Sequence, residues 1–263
     1  SQSVICAGQS ATLTATGGGT YAWSSGQSGA SVSVTPQVTT TYTVTVTNNG
    51  CSATTDVTVT VNPLPVAGAS ASPDVLCAGQ STTLTATGGS TYLWSTGQSG
   101  SSISVTPANT TTYSVTATNN GCTGTASVNV VVNPLPVPVA TATPAVICAG
   151  QTATLNASGG STYLWNTGQT DASISVSPAD TTTYSVTVTS NGCSASTAVT
   201  LFVNTTTATV TADLTTVCPG LSTNITATGG GTYHWSTGAT NAVISVTPLV
   251  ATTYSVTVTN NGC

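Results

Sequence analysis

The sequence predicts an all-β protein, a tandem array of four small antiparallel β-sandwiches, and three observations lead there. A stretch of about seventy residues recurs four times, its first cysteine falling at Cys6, Cys77, Cys148 and Cys218 and its second at Cys51, Cys122, Cys193 and Cys263. Each copy alternates apolar and hydroxyl residues at period two, and none shows helical periodicity. Gly- and Asn-rich turn signals separate the alternating runs at short, regular intervals. Self-similarity at a fixed period means that function belongs to the array as well as to each module.

Taken in order, the first copy shows the elements. Ala11–Thr16 (ATLTAT) reads as a strand ended by Gly17-Gly18-Gly19. Tyr21-Ala22-Trp23 is a short strand with Tyr and Trp on one face, because side chains alternate. Ser25-Gly26-Gln27-Ser28 reads as a turn, and Ser31–Val34 and Thr41–Thr47 (TYTVTVT) as period-two strands. Asn48-Asn49-Gly50 makes a hairpin turn, since Asn and Gly accept positive φ. Ser52–Val61 is the long last strand, with Val57, Val59 and Val61 inward. The expected repeats span 1–62, 66–133, 137–204 and 208–263. Asn62-Pro63-Leu64-Pro65 and Asn133-Pro134-Leu135-Pro136 join the first three, and alternating prolines make such joints short and stiff. The third joint, Asn204-Thr205-Thr206-Thr207, lacks proline and is expected to bend more easily. The fourth copy stops at Cys263 and is expected to lack its last strand. A continuing array accounts for that, as does a groove open to a strand from another molecule.

Composition removes whole classes of function. The 263 residues contain no Lys or Arg, and the five acids are Asp56, Asp74, Asp171, Asp180 and Asp213. A chain without cations has nothing to neutralise phosphates, so nucleic acid is excluded as a partner, and anionic membranes lose their electrostatic attraction. No apolar run approaches the roughly 18 residues of a membrane span, so membrane insertion is not expected. A module of about seventy residues buries too little surface to be secure without a staple. An even number of cysteines, eight at regularly recurring positions with no CxxC pair, points to disulfides made in an oxidising compartment outside the cytoplasm.

Candidate sites for chemistry are sparse. His234 occupies the slot held by Ala22, Leu93 and Leu164 in the sister copies, as expected of an outward side chain, and no carboxylate recurs beside it. The aspartates fall out of register, which argues against calcium at the joints. Asn109, Asn156, Asn204 and Asn224 open N-x-[ST] triplets, frequent by chance in a Thr-rich chain. Trp23, Trp94, Trp165 and Trp235, with Tyr42, Tyr113, Tyr184 and Tyr254, hold fixed places in every copy, and core packing is the expected role, ahead of Tyr–Trp platforms on which a sugar would stack. No catalytic residue, metal ligand or cofactor is expected, and an enzyme is not the reading.

The run C-x-G-x-S-x-x-L-T-A-T-G-G, then Y-x-W-S-x-G, then T-T-Y-x-V-T-V-T-x-N-G-C resembles the immunoglobulin-like and PKD-like repeats of very large bacterial surface adhesins. Such repeats are common in gliding bacteria that use type IX secretion. The resemblance covers nearly the whole chain. It implies immunoglobulin-like sandwiches and a secreted, extracellular or cell-surface protein forming a stalk, fibre or filament without catalysis. The alternative it leaves open is an adhesin segment that holds polysaccharide or a neighbouring cell surface. One departure matters: antibody-type domains place a Tyr two residues before the second Cys, whereas Tyr42 precedes Cys51 by nine.

Two cysteine pairings remain open. Family habit puts one bridge in each repeat: Cys6–Cys51, Cys77–Cys122, Cys148–Cys193 and Cys218–Cys263. The strand tracing instead puts the two cysteines of a repeat at opposite ends of a sandwich. Bridges Cys6–Cys122, Cys77–Cys193 and Cys148–Cys263 would then cross the joints and leave Cys51 and Cys218 for neighbours. Uncharged Thr/Ser faces, weak self-repulsion and strand edges without lysine also favour lateral association, so that the protein is expected to form a homopolymer or to associate side by side. The expected partners are thus the protein itself, with strand addition at the fourth repeat, and a surface glycan.

Overall fold

Alternation decides which way each strand faces. In Thr40–Asn48, Tyr42 and Val44 are buried while Thr41 is exposed, and the same pattern repeats in Thr111–Asn119 and Thr182–Ser190. The computed structural model describes residues 3–263; Ser1 and Gln2, part of the expected first repeat, lie outside the described residues. It is all-β, and its described residues divide into two compact units, one ending at Pro134 and the other running Leu135–Cys263.

The first unit begins with β1 (Val4–Cys6), β2 (Ala11–Thr14), β3 (Thr20–Trp23), β4 (Ser31–Val34), β5 (Thr40–Asn48) and β6 (Cys51–Asn62). It continues with β7 (Gly68–Ser72), β8 (Val75–Cys77), β9 (Thr82–Thr87), β10 (Thr91–Trp94), β11 (Ser102–Val105), β12 (Thr111–Asn119) and β13 (Cys122–Asn133). One sheet runs β1-β6-β5-β3 and faces the pair β2-β4; the next runs β10-β12-β13-β8 and faces β11-β9-β7. β5 and β6 pair antiparallel from Thr40↔Val59 to Asn48↔Cys51. The turn between them has both central residues at positive φ, Asn49 at 48° and Gly50 at 82°, which matches the right-handed twist of the strands it joins.

The second unit contains β14 (Val139–Thr143), β15 (Val146–Cys148), β16 (Ala153–Ser158), β17 (Thr162–Trp165), β18 (Ser173–Val176), β19 (Thr182–Ser190) and β20 (Cys193–Asn204). After these come β21 (Thr209–Ala212), β22 (Thr223–Thr228), β23 (Thr232–Trp235), β24 (Val243–Val246) and β25 (Val256–Thr259). Its sheets run β14-β16-β18 and β15-β20-β19-β17, then β21-β22-β24 and β23-β25.

The fullest copies thus oppose a three-stranded sheet to a four-stranded one whose outer strand, β8 or β15, pairs parallel to the long last strand. The chain passes from β7 to β8, and from β14 to β15, through cis peptide bonds at Ser72-Pro73 and Thr143-Pro144. A first strand shared between two sheets, with sequence-distant strands adjacent in each, is the arrangement of an immunoglobulin-like sandwich. These short strands were missing from the sequence-based tracing, which placed Cys6 ahead of the first strand. They are three residues long (VIC, VLC, VIC), too short for a period to register.

Each sandwich is centred on its Trp. Trp94, Trp165 and Trp235 are at most 2 % exposed, and Trp23 is 5 % exposed. Leu84, Val115 and Val130 surround Trp94, and Leu155, Val186 and Leu201 surround Trp165. The indole nitrogen meets the same need in every copy. Trp23 Nε1 donates to Gly29 O (3.0 Å), Trp94 to Gly100 O (3.0 Å), Trp165 to Asp171 O (3.0 Å) and Trp235 to Asn241 O (2.9 Å). These bonds hold the loop after each Trp strand over that strand's outer edge. Trp94 N also donates to Gln98 O, and Leu93 bridges to Ser99. A sheet edge without a single lysine is thereby covered by its own loop.

Candidate functional site: the cysteine joints

The length of the last strand fixes what the cysteines can reach. Cys51 opens β6 opposite Asn48, whereas Cys6 pairs with Asn62 at the other end. Eleven residues of strand put these ends about 35 Å apart. A disulfide spans only about 4.4–6.8 Å between Cα atoms, so a bridge inside the repeat is sterically barred.

The structure instead joins Cys6 to Cys122, with the Cα atoms 5.6 Å apart, and Cys148 to Cys263, at 5.5 Å. Cys77 and Cys193 are also disulfide-bonded. Two of the eight expected disulfide cysteines are not: Cys51 and Cys218 are free and exposed. This corrects the pairing of one bridge per repeat, in which Cys51 would have met Cys6 and Cys218 would have met Cys263. Both of those partners are taken by the neighbouring repeat.

The residues around the Cys6–Cys122 bridge come from recurring positions. Asn62 closes β6, and its carbonyl accepts a hydrogen bond from Ala7 N (3.0 Å). Its side-chain amide donates to Asn120 O (3.1 Å), in the turn that presents Cys122. Cys122 Sγ lies 3.9 Å from Asn62 O, a contact only, since a disulfide sulfur has no proton to donate. Asn120 and Gly121 adopt positive φ, 48° and 80°, which reverses the chain so that Cys122, the second half of the bridge, opens β13. The connector packs here as well: the Pro65 carbonyl lies where a Cβ on Gly124 would be, so only glycine fits β13 at that point. Cys122 is 1 % exposed, which shields the bond from solvent thiols. In the second unit Cys148 pairs with Asn204 in the same register, and Thr206 Oγ1 donates to Cys263 O (3.4 Å).

The other expected site residues divide clearly. Tyr42, Tyr113 and Tyr184 are buried with their tryptophans, but Tyr254 is only partly buried. The sheet β23-β25 has two strands where its sisters have four, so among the described residues no strand covers that side of Tyr254. A cavity of about 560 Å³ opens there, lined by Val210, Leu214, Val217, Ile225, Leu249 and Tyr254 among others. His234 is exposed on β23, and all five aspartates are exposed. Among the described residues no three of His, Cys, Asp or Glu cluster as metal ligands would, and no helix is long and apolar enough to cross a membrane. Sequence reasoning missed the joint asparagines, Asn62 and Asn204; the recurring Asn immediately before the connector was the available signal.

No protein-family model matches this sequence, and no curated protein sequence does either. Among solved structures the chain is similar to the three-immunoglobulin titin fragment I67–I69. The two share 13 % identity over 76 % of this chain and 95 % of that one, with a TM-score of 0.42. It is also similar to the eight N-terminal immunoglobulin domains of Down syndrome cell adhesion molecule, at 12 % identity and a TM-score of 0.30. That match covers 88 % of this chain and 39 % of that one. A four-domain Dscam1 fragment aligns over 94 % of this chain and 89 % of its own length, at 13 % identity and a TM-score of 0.22.

Proposed function

We propose that this protein is a structural, extracellular repeat protein, four immunoglobulin-like sandwiches in series (1–62, 66–133, 137–204 and 208–263) that form part of a stalk, fibre or filament on a bacterial surface. The observation that carries this reading is the placement of the disulfides. A bridge inside a module would stabilise that module alone. Cys6–Cys122 and Cys148–Cys263 each tie one module to the next and fix the joint. An oxidising compartment is needed to make such bonds.

The surface supports the same reading. The outer faces carry hydroxyl ladders that satisfy one another, as in Thr41–Thr58 (2.8 Å), Thr183–Thr200 (2.9 Å) and Thr187–Ser196 (3.0 Å). With Trp edges covered by their own loops, association end to end is favoured over lateral pairing of sheet edges. The indoles lie in the core, so they offer no stacking platform to a sugar. The open side of the fourth repeat takes up a strand of the β6 type, alternating valine and hydroxyl residues.

Electron microscopy of the protein, with and without a reductant, tests the proposal. Extended particles of uniform stiffness that become kinked on reduction are expected. Particles equally bent before and after reduction would overturn it, and specific capture by one glycan on an array would favour the adhesin reading.

A further inference from the structure

The two free thiols are complementary rather than equivalent. At Cys6–Cys122 and at Cys148–Cys263 the first cysteine of one repeat meets the second cysteine of the repeat after it, at the same Cα separation within 0.1 Å. Cys218 is a first cysteine with no partner, and Cys51 is a second cysteine with no partner. Cys51 is held as its bonded sisters are, and Cys218 keeps the turn that follows its sisters although it lies outside a strand, whereas Cys6 ends β1. Cys51 follows a turn whose φ values (48° and 82°) match those before Cys122 (48° and 80°) and Cys263 (49° and 80°). Cys218 precedes Gly220 at φ 81°, and Leu221 N donates to Cys218 O at 3.0 Å; Cys6 precedes Gly8 at 83°, with Gln9 N donating to Cys6 O at 2.9 Å. The surface beside Cys218 presents apolar side chains: Leu214, Leu221 and Leu249 are each more than half exposed.

We propose that Cys218 of one copy forms a disulfide with Cys51 of the next, so that copies join head to tail with the same bond that joins repeats within the chain. Such a contact uses two different surfaces and does not close on itself, so it propagates into an open polymer. The proposal rests on the stapled-array reading above. Joining the two thiols removes two protons and two electrons, which an external disulfide such as oxidised glutathione accepts. The Cys218 thiolate attacks one glutathione sulfur and expels the first glutathione thiolate. The Cys51 thiolate of the next copy then attacks the Cys218 sulfur of the mixed disulfide and expels the second.

The test uses the whole chain in a glutathione redox buffer, followed by non-reducing electrophoresis and peptide mapping. The unaltered protein should give a ladder of integer multiples of the chain. C51A alone and C218A alone should each stay monomeric, while an equimolar mixture of the two should give a dimer and stop there. Mapping should link Cys51 to Cys218. A chain that remains monomeric under oxidising conditions, or that forms Cys51–Cys51 or Cys218–Cys218 links, would overturn the proposal. The same map reads Cys6–Cys122 and Cys148–Cys263. If these are intact while Cys51 and Cys218 stay free, only the head-to-tail link fails; if these too are reduced, the stapled array itself fails.

Discussion

Replacing both partners of the first joint, C6A with C122A, should destabilise the unit by about 4 kcal/mol. The bridge closes 116 residues. In the chain-entropy account a loop of that length stabilises the fold by about 4.8 kcal/mol at 25 °C, and native disulfides deliver about 2–5 kcal/mol in practice. A bridge within one repeat would close 45 residues and contribute about 4.0 kcal/mol by the same formula, so the magnitude is nearly independent of the pairing. Alanine is the right replacement because Cys122 is 1 % exposed and a serine hydroxyl there would be buried. The measurement is urea unfolding followed by circular dichroism, in a background carrying C51S and C218S so that no free thiol can exchange. With a slope of about 2 kcal/mol per molar urea, the midpoint should fall by about 2 M. C148A with C263A closes 115 residues and should shift the midpoint equally. A fall of less than about 0.3 M for either pair would refute the view that the joint bonds are staples.

Three further outcomes follow from single positions and a fourth from an added strand. W94F removes the indole N–H that Gly100 O accepts at 3.0 Å and leaves space in a closed core, and should cost about 2–3 kcal/mol in thermal unfolding. G121A puts a Cβ on a residue at φ 80° in the turn before Cys122; a loss of about 1–2 kcal/mol is expected, read by denaturant melts. G124A forces a Cβ against the Pro65 carbonyl and should destabilise the first unit by about 1–3 kcal/mol, with faster amide exchange in the connector, whereas an alanine at the open Gly97 loop lacks that clash. A synthetic peptide of the sequence Ser194–Asn204 should protect β25 amides from exchange by pairing beside it, and a version with Val199 and Leu201 replaced by serine should not.

Much of this was legible in the residues because alternation and turn chemistry agreed. Thr41–Thr47 and Ser52–Val61 were readable as strands since valines fall at every second position, and the structure extends each by only one residue at either end. Asn49-Gly50 was readable because a two-residue turn with positive φ at both positions admits few other pairs. The strands β1, β8 and β15 were not, because three residues have no period and their pairing is parallel to a partner more than fifty residues away. The alanine-rich β7 and β14 carried too little apolar contrast. For the cysteines, strand length already placed Cys6 and Cys51 at opposite ends of a sandwich. Family habit pulled the other way, and the register Cys6↔Asn62 decides between them. The covered Trp edge was invisible, since it depends on an indole reaching a carbonyl six residues along the chain.

The Cys6–Cys122 bridge also sets how the first unit responds to being pulled from its ends. Tension entering at Cys6 crosses through sulfur to Cys122 and leaves along β13, bypassing the stretch of chain between two cysteines that are 116 positions apart. Fully drawn out, that bypassed length would be about 400 Å of slack, none of which a pull can release while the bond holds. The strands between those two cysteines lie off that covalent path, so the unit yields like a short tether made of β13 and one sulfur–sulfur bond.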